Sequence, residues 1–371
     1  MITGLLNQLR RQKRNIEVFR AYGWLDLVEQ CFTLPRDLYL REGKAAAPLN
    51  VALFITLRCN LRCSMCNLLE ILEEKGGQYK EPTIEEVKKL SQELKEMGCP
   101  GLILFGGEPF VRNDFAQLVS VVKEQGLTCG TFTNGTLLQE EKIKETVEAG
   151  LDYIVFSLLG PKEVHNEITG NEKAFDKLVE SARLFRRERQ SSVIIHCTIT
   201  KENVEHLDEV VEVGKEVGAH LVRFGHPTFY TDADRKKAAS FNEKHFPNEN
   251  IRCTSAHYEI KDEESAKYVE AIEQLRSRYG SSIAFSPELS SSEVASWYSP
   301  EFVTHRSCLF VYRGCFISPE GQIVPCESFD YPLGNVFEEG FKTVWENERY
   351  CRFRQKIREG IFPGCTRCCK L

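Results

Sequence analysis

Long hydrophobic runs are missing from this chain of 371 residues. No apolar stretch approaches the roughly 18 to 20 residues that a helix needs to cross a bilayer, and the start of the chain lacks the order of charge, apolar stretch and cleavage site that marks a signal peptide. A strong net charge is also missing, because 48 basic and 54 acidic residues give −6. These absences predict a cytoplasmic protein with no transmembrane segment and no nucleic-acid partner.

Cysteine is abundant, with 15 residues. Thiols stay reduced in the cytoplasm, so clustered cysteines indicate metal binding rather than disulfides. The clearest cluster is Cys59, Cys63 and Cys66, spaced C-x3-C-x2-C after the apolar run Val51–Leu57. Three thiolates can hold three corners of a four-iron four-sulfur (4Fe-4S) cluster and leave the fourth iron open to a ligand that is not protein. A zinc knuckle is the alternative.

Short apolar runs alternate with amphipathic stretches through the middle of the chain. The runs predict six strands, Val51–Leu57, Gly101–Phe105, Thr128–Phe132, Tyr153–Leu158, Val193–Ile199 and His220–Phe224. The first intervening helix should begin after Thr83, which forms a capping box with Glu86, and end at Gly98. Six such units predict an α/β fold, a partial (β/α)6 TIM-like barrel. Function in such folds gathers at the carboxyl ends of the strands, where Cys59 lies.

A glycine turn follows the second predicted strand. Gly106, Gly107, Glu108 and Pro109 come directly after Phe105. Glycines here let a ligand approach the main chain, and Glu108 can accept hydrogen bonds from an amine.

The cysteine motif and this turn together resemble those of the radical S-adenosylmethionine (radical SAM) enzymes. In that family the cysteine loop ligates the catalytic 4Fe-4S cluster, and a Gly-Gly-Glu-Pro turn contacts the methionine amino group of S-adenosylmethionine (SAM). The resemblance covers residues 49–229, with Met65 replacing a usual aromatic residue and Leu159 a common acidic one. It implies further cofactor-binding residues at later strand ends, namely Thr133, Asn134, Ser157, Thr198 and Asn203.

The resemblance also implies a mechanism and partners. The open iron chelates SAM, and one electron breaks its sulfur–carbon bond to give a 5'-deoxyadenosyl radical, which abstracts hydrogen from an unactivated C–H bond. The protein orients that bond and excludes water and oxygen. The implied partners are a small-molecule or peptide substrate and an electron donor such as flavodoxin or ferredoxin.

A second set of cysteines lies near the C-terminus. Cys308, Cys315 and Cys326 surround a hairpin-like segment, Phe316–Val324, and Cys365, Cys368 and Cys369 follow a helix. Paired half-sites of this kind indicate a metal, and a zinc ribbon is one reading.

This tail resembles the SPASM and twitch extensions of radical SAM enzymes, which carry auxiliary iron-sulfur clusters. The resemblance implies one auxiliary 4Fe-4S cluster, ligated by Cys308, Cys326, Cys365 and Cys368. Cys369 is an alternative to Cys368, and Cys315 is either a ligand or a packed strand residue.

Two side chains near the expected substrate entrance are candidates for catalysis. Cys253 lies in a polar insertion after the sixth strand, where a thiol could return a hydrogen atom to a substrate radical. His226 ends the sixth strand and is expected to face the barrel mouth, either as a base or substrate ligand or as a hydrogen-bonded structural histidine. Arg223 on that strand points either inward to a carboxylate or outward to solvent. Five other cysteines are predicted to pack as small hydrophobes, namely Cys31, Cys99, Cys129, Cys197 and Cys351.

The predicted organisation has four parts. Residues 1–48 form an N-terminal helical segment, 49–229 the radical SAM barrel, 230–300 an insertion, helix and connector that complete the barrel, and 301–371 the auxiliary cluster domain. The basic amphipathic start packs along the barrel, grips an acidic substrate or makes peripheral contact with an anionic membrane.

Three classes of function fit the sequence. The leading one is a radical SAM enzyme that oxidises, couples or epimerises a small metabolite or a ribosomally made peptide, with a lipid as a third substrate class. Its auxiliary cluster transfers electrons or binds substrate. The second is an iron-sulfur electron carrier, which leaves the glycine turn and the barrel unexplained. The third is a zinc-binding module, which predicts zinc in place of labile sulfide.

Overall fold

The computed structural model describes residues 33–368 apart from 69–70, 73–76, 189–190, 229–230, 248, 250, 254–261, 300–301, 303, 305–307, 327–328 and 360–364. The predicted amphipathic start, Cys31 and Cys369 therefore lie outside the described residues. The described part begins with a helix at residues 33–40.

Eleven strands are formed by the described residues, and nine of them make one sheet. They are β1 (Asn50–Thr56), β2 (Gly101–Gly106), β3 (Thr128–Thr133), β4 (Tyr153–Ser157), β5 (Ser192–Thr198), β6 (Leu221–Gly225), β7 (Arg252–Cys253), β8 (Ile283–Ser286), β9 (Gly314–Ile317), β10 (Ile323–Val324) and β11 (Phe329–Asp330). The large sheet has the order β10-β9-β1-β2-β3-β4-β5-β6-β8, and β7 pairs with β11. Neighbours from β9 through β8 are parallel, and β10 is antiparallel to β9.

The six predicted strands are all present, each displaced by one residue or less at either end. The α/β class and the parallel sheet are confirmed. Within the described residues β10 and β8 are the two ends of the sheet, so the barrel is partial.

Helices connect the strands. They are α1 (Ile84–Met97), α2 (Phe115–Glu124), α3 (Glu140–Glu148), α4 (Lys162–Thr169), α5 (Ala174–Glu188), α6 (Leu207–Glu216), α7 (Asp232–His245), α8 (Asp262–Tyr279), α9 (Ser291–Trp297), α10 (Val336–Glu339), α11 (Phe341–Trp345) and α12 (Glu348–Glu359). None of the helices in the described part of the chain is long and apolar enough to cross a membrane.

Helix α1 shows why the local sequence folds as it does. The Thr83 hydroxyl accepts from the Glu86 N–H, and the Glu86 carboxylate accepts from the Thr83 N–H, which completes the predicted capping box. Gly98 ends the helix in the left-handed conformation, which glycine adopts without steric cost. Val87, Leu90 and Leu94 fall on one face and are buried against the sheet.

The two faces of the sheet carry different residues. One face packs on the helices and forms the main core, which includes Val222 and Phe224 of β6. The alternate residues form a separate smaller cluster on the inner face of the barrel. Its members are Tyr153, Val155 and Ile194, with Ile103, Phe132 and Leu221 packed against them.

The C-terminal part shares the main sheet. Strand β9 pairs in parallel with β1, and the Ile317–Ile323 pair begins the hairpin that the sequence predicts around Gly321. Cys315 on β9 faces the main core. The parts of the chain before and after the predicted boundary at residue 301 therefore share one sheet, and the boundary remains a prediction.

One predicted connector is instead the start of a helix. Within the predicted connector of residues 230–300, the Ser290 hydroxyl accepts from the Glu293 N–H and caps α9 in a capping box. The high serine content of this segment obscured its Ser-x-x-Glu pattern, which is the capping-box signal of a helix start.

Candidate active site

The cysteine loop leaves the carboxyl end of β1. The Cys59 sulfur accepts a hydrogen bond of 3.5 Å from the Leu61 N–H, and the Cys66 N–H donates to the Cys63 carbonyl at 3.1 Å. The Ser64 N–H donates to the Ile168 carbonyl of α4 at 2.8 Å, which ties the loop to the rest of the barrel.

The three thiols are close enough to influence one another electrostatically. Burial raises the pKa of Cys63 to about 12, and the neighbouring thiols of Cys66 and Cys59 add to this increase. Burial is also the main cause of the raised pKa of Cys59. A bound metal would have to supply the positive charge that stabilises three thiolates here.

A single metal ion has no ready-made site among the described side chains. No three His, Cys, Asp or Glu side chains of the described residues converge on one point. A 4Fe-4S cluster places each thiolate on a different iron, so three thiols side by side suit that cluster better than one ion. The donor set of Cys59, Cys63 and Cys66 therefore fits the cluster.

The glycine turn packs directly on the base of the cysteine loop. The Gly107 N–H donates to the Thr56 carbonyl at 3.0 Å, and the Glu108 N–H donates to the Arg58 carbonyl at 2.8 Å. A Cβ atom at Gly106 would lie 2.3 Å from the Thr56 oxygen, and one at Gly107 would lie 2.3 Å from the Arg58 oxygen. These glycines let two backbones meet, and their expected contact with a ligand stays a prediction.

The Glu108 side chain is turned into the protein and is fully buried. Its oxygens accept from the Asn134 N–H at 2.7 Å, the Thr133 hydroxyl at 2.8 Å and the Phe110 N–H at 3.1 Å. Burial raises the pKa of Glu108 to about 7, although these hydrogen bonds oppose the shift. The carboxylate therefore holds the end of β3 against the turn, and the expected bond from an amine stays a prediction.

Asn134 connects this turn to the cysteine loop. Its side-chain nitrogen donates to the Asn60 side-chain oxygen at 3.1 Å and lies 3.9 Å from the Cys59 sulfur. Asn60 in turn donates to the Thr136 hydroxyl at 2.7 Å. Thr133 and Asn134, both predicted cofactor-binding residues, thus lie beside the cysteines.

The other predicted cofactor residues lie at the ends of β4 and β5. The Asn203 side chain is fully buried and donates to the carbonyls of Thr198 at 2.8 Å and Leu159 at 3.0 Å. Asn203 therefore fixes the shape of the Thr198 turn. Ser157 ends β4 and is partly exposed.

The candidate catalytic residues are separated from this site. His226 was expected to face the barrel mouth, but it is only 2% exposed, and its Nδ1 lies 2.7 Å from the Tyr298 hydroxyl. The orientation was wrong because strand alternation, which turns Arg223 inward, turns His226 toward the helices. Cys253 lies on β7, opposite Phe329 of β11 and outside the main sheet.

The auxiliary cysteines fall into two groups. Burial raises the pKa of Cys308 to about 11, and the nearby Cys326 thiol contributes to the increase. Cys326, Cys365 and Cys368 are buried. Cys315 is also buried, and Cys99 and Arg354 are among the groups that act on its pKa. Cys315 therefore packs within the main core. Cys99, Cys129 and Cys197 are buried as predicted, and Cys351 is partly exposed.

Sequence reasoning missed a polar network beneath the cysteine loop. The Thr56 hydroxyl donates to Glu81 at 2.5 Å, and Arg58 donates to both Glu81 oxygens at 2.9 and 3.0 Å. The Tyr79 hydroxyl accepts from the Leu57 N–H at 3.0 Å. Tyr79 and Glu81 belong to no sequence motif. Their role follows only from their hydrogen bonds to residues 56–58, which lie more than 20 positions earlier in the chain.

The comparisons with known proteins agree with this geometry. Residues 53–214 match the family model described as the Radical SAM superfamily. These residues form a Radical SAM domain. Residues 308–369 match a second model, SPASM, described as an iron-sulfur cluster-binding domain. Enzymes with these two parts use SAM and 4Fe-4S clusters as cofactors.

Curated relatives span most of the chain. It is 27% identical over 325 residues to an AdoMet-dependent heme synthase of Methanosarcina barkeri, covering 84% of this chain and 85% of the relative. It is also 27% identical over 338 residues to a PqqA peptide cyclase of Bradyrhizobium diazoefficiens, covering 86% and 81%.

Among solved structures, Streptococcus suis SuiB bound to S-adenosylmethionine superposes with a TM-score of 0.62 at 15% identity, covering 89% of this chain and 71% of that one. At this identity the similarity to SuiB shows a shared fold.

Proposed function

We propose that the chain cleaves SAM reductively at the carboxyl end of its sheet and abstracts hydrogen from an unactivated C–H bond of a substrate. The observation that carries this proposal is the joining of the cysteine loop to the glycine turn, through the Gly107–Thr56 and Glu108–Arg58 hydrogen bonds. Two segments more than 40 residues apart meet where the family holds its cofactors.

The residues have distinct proposed roles. Cys59, Cys63 and Cys66 hold the catalytic 4Fe-4S cluster, which with SAM supplies one electron and a 5'-deoxyadenosyl radical. The backbone of residues 106–109, together with Asn134, Ser157 and the Thr198 turn, positions SAM. Glu108 and Asn203 keep those backbones in place from within.

We assign the auxiliary 4Fe-4S cluster to Cys308, Cys326, Cys365 and Cys368. Their donor chemistry fits, because all four are thiols and at least Cys308 and Cys326 act on each other electrostatically. The cluster would transfer electrons or bind substrate. Cys315 is left out because the thiol that acts on its pKa is Cys99, whereas the thiol that acts on the pKa of Cys308 is Cys326.

Two substrate classes are supported by relatives. The PqqA peptide cyclase and the structure of SuiB bound to the precursor peptide SuiA favour a ribosomally made peptide. The heme synthases favour a small metabolite. Oxidation, coupling and epimerisation all begin with the same hydrogen abstraction.

The test replaces Cys59, Cys63 and Cys66 together with alanine, followed by anaerobic reconstitution. The triple variant should form no 5'-deoxyadenosine and should keep about four irons and four sulfides per chain, those of one auxiliary cubane. The single variants Cys99→Ala and Cys129→Ala are the controls, since both thiols are buried in the main core. SAM cleavage by the triple variant would refute the assignment of the triplet. Zinc in place of iron would support the zinc-binding module.

A further inference from the structure

A positively charged side chain lies on the inner wall of the barrel. Arg223 is the third residue of β6, and its neighbours Val222 and Phe224 both face the main core. Alternation therefore turns Arg223 to the opposite face. Its guanidinium carbon lies 5.8 Å from the centre of the Phe132 ring, which belongs to the inner cluster. Of the two orientations that the sequence left open, the inward one is observed.

His196 fixes the direction of this guanidinium. The two residues are direct partners in the pairing of β5 with β6, and the Arg223 Nε–H donates to His196 Nδ1 at 3.2 Å. Nδ1 must be unprotonated to accept this bond, so the imidazole is neutral with its proton on Nε2. The His196 ring also meets Phe132 edge-on at 6.4 Å. Arg223 is thus held by a hydrogen bond on one side and an aromatic ring on another.

Ser157 lies in the same row of the sheet. The register pairs Ser157 with His196 and His196 with Arg223. A hydroxyl, an imidazole and a guanidinium from three adjacent strands therefore stand side by side near the strand ends.

Several described residues of this inner wall are apolar. Below the polar row lies the cluster of Tyr153, Val155 and Ile194. Further along the wall Phe105 packs edge-on with Phe54 at 4.8 Å and with Phe132 at 5.5 Å. The Arg223 guanidinium on this wall is suited to binding a planar anion. Arginine recognises carboxylates through paired hydrogen bonds and stacks on aromatic rings.

We propose that Arg223 binds a carboxylate inside the barrel, supplied either by SAM or by the substrate. This inference rests on the proposed function, since both molecules would have to enter the barrel. It adds a recognition residue on β6, and it predicts that any substrate reaching this row without competing with SAM is itself a carboxylic acid.

The experiment uses the anaerobically reconstituted protein and two small probes, propionate and its neutral isostere propionamide. Their binding is measured by saturation-transfer NMR, with and without saturating SAM, and the Kd for SAM is measured separately by calorimetry. Arg223→Gln removes the charge, and Arg223→Lys keeps it without the planar fork. Arg186→Gln is the matched control, because that guanidinium donates to the Gly218 carbonyl on the helical side of the barrel.

Wild type and Arg186→Gln should bind propionate and not propionamide, and Arg223→Gln should bind propionate at least tenfold more weakly. Arg223→Lys should fall between them. If SAM supplies the carboxylate, saturating SAM abolishes the propionate signal and Arg223→Gln raises the Kd for SAM at least tenfold. If the substrate supplies it, the propionate signal survives saturating SAM and the Kd for SAM changes less than twofold.

Equal propionate binding by wild type and Arg223→Gln, or none by wild type, would overturn the inference, provided that circular dichroism shows the variants folded. The proposed function would be refuted separately if the wild-type protein formed no 5'-deoxyadenosine. A protein that cleaves SAM but shows no Arg223-dependent propionate binding would retain the proposed function and lose only this subsite.

Discussion

At the scale of single residues, the site depends on side chains that hold other groups in place. Glu108 accepts three hydrogen bonds from the end of β3 and the glycine turn. The Asn203 side chain similarly donates hydrogen bonds to the carbonyls of Thr198 and Leu159. Glu108 and Asn203 therefore fix the neighbouring backbone from inside the protein.

Glu108 makes stability depend on pH. Its pKa is raised from 4.5 to about 7 by burial, so the folded chain binds the proton more tightly than the unfolded chain does. The stabilisation is complete below about pH 4.5 and is lost as pH rises through about 7, and it amounts to roughly 3 kcal/mol. Urea unfolding of the metal-free protein at pH 5 and 7.5 should show this loss in wild type and not in Glu108→Gln. The same pH dependence in both proteins would contradict it.

Gly107 permits the contact between the turn and the cysteine loop. In Gly107→Ala the new Cβ would collide with the Arg58 carbonyl and push the loop away from the turn. Iron and sulfide incorporation at the first site should fall at least fivefold. Gly126→Ala is the control, since its Cβ would approach only the flexible end of Lys95, while its positive φ adds a backbone strain that Gly107→Ala lacks. Equal loading of the two variants would show that the close approach is unimportant.

At the scale of elements, the strands and α1 were predictable and their partners were not. The six strands have apolar runs of the right length, and α1 has both of its caps in the sequence. The pairing of β9 with β1 joins positions more than 260 apart, and no local pattern encodes that register. His226 was misplaced because its position at a strand end was considered without the alternation that decides its direction.

The cap of α9 can be tested directly. Ser290→Ala removes the hydroxyl that accepts from the Glu293 N–H, and the loss should lower the free energy of unfolding by about 1 kcal/mol. Ser281→Ala is the control, because Ser281 is exposed and caps no α-helix. Chemical denaturation of both variants measures the difference. A change below about 0.3 kcal/mol in Ser290→Ala would mean that the packing of α9, and not its cap, sets its stability.

At the scale of the whole molecule, buried charges join the C-terminal part to the barrel. Arg313, just before β9, donates to Asp37 of the 33–40 helix at 2.9 Å. Arg367 lies between Cys365 and Cys368 and donates to the Asp234 carboxylate of α7 at 2.9 Å. The same guanidinium donates to the carbonyls of Trp297 at 3.1 Å and Ser299 at 2.6 Å. The proposed ligand loop of the auxiliary cluster is therefore anchored at three points outside it.

This anchor predicts that Arg367 governs loading of the auxiliary site. Arg367 is 1% exposed, so Arg367→Gln leaves a buried carboxylate without its cation and should cost about 3 to 5 kcal/mol of stability. The flanking cysteines lose their fixed spacing as a result. Iron per chain should fall from about eight, two cubanes, to about four, while 5'-deoxyadenosine formation at the first site persists.

Arg358→Gln is the control for Arg367, because its exposed guanidinium donates to the Leu38 carbonyl of the 33–40 helix. Arg367→Lys keeps the charge but cannot reach three acceptors in fixed directions, and it should load at an intermediate level. Eight irons in Arg367→Gln would show that the cysteines assemble the cluster without this anchor. Loss of all iron would instead show that the two halves of the molecule, which share one sheet through β9 and β1, fold as a single cooperative unit.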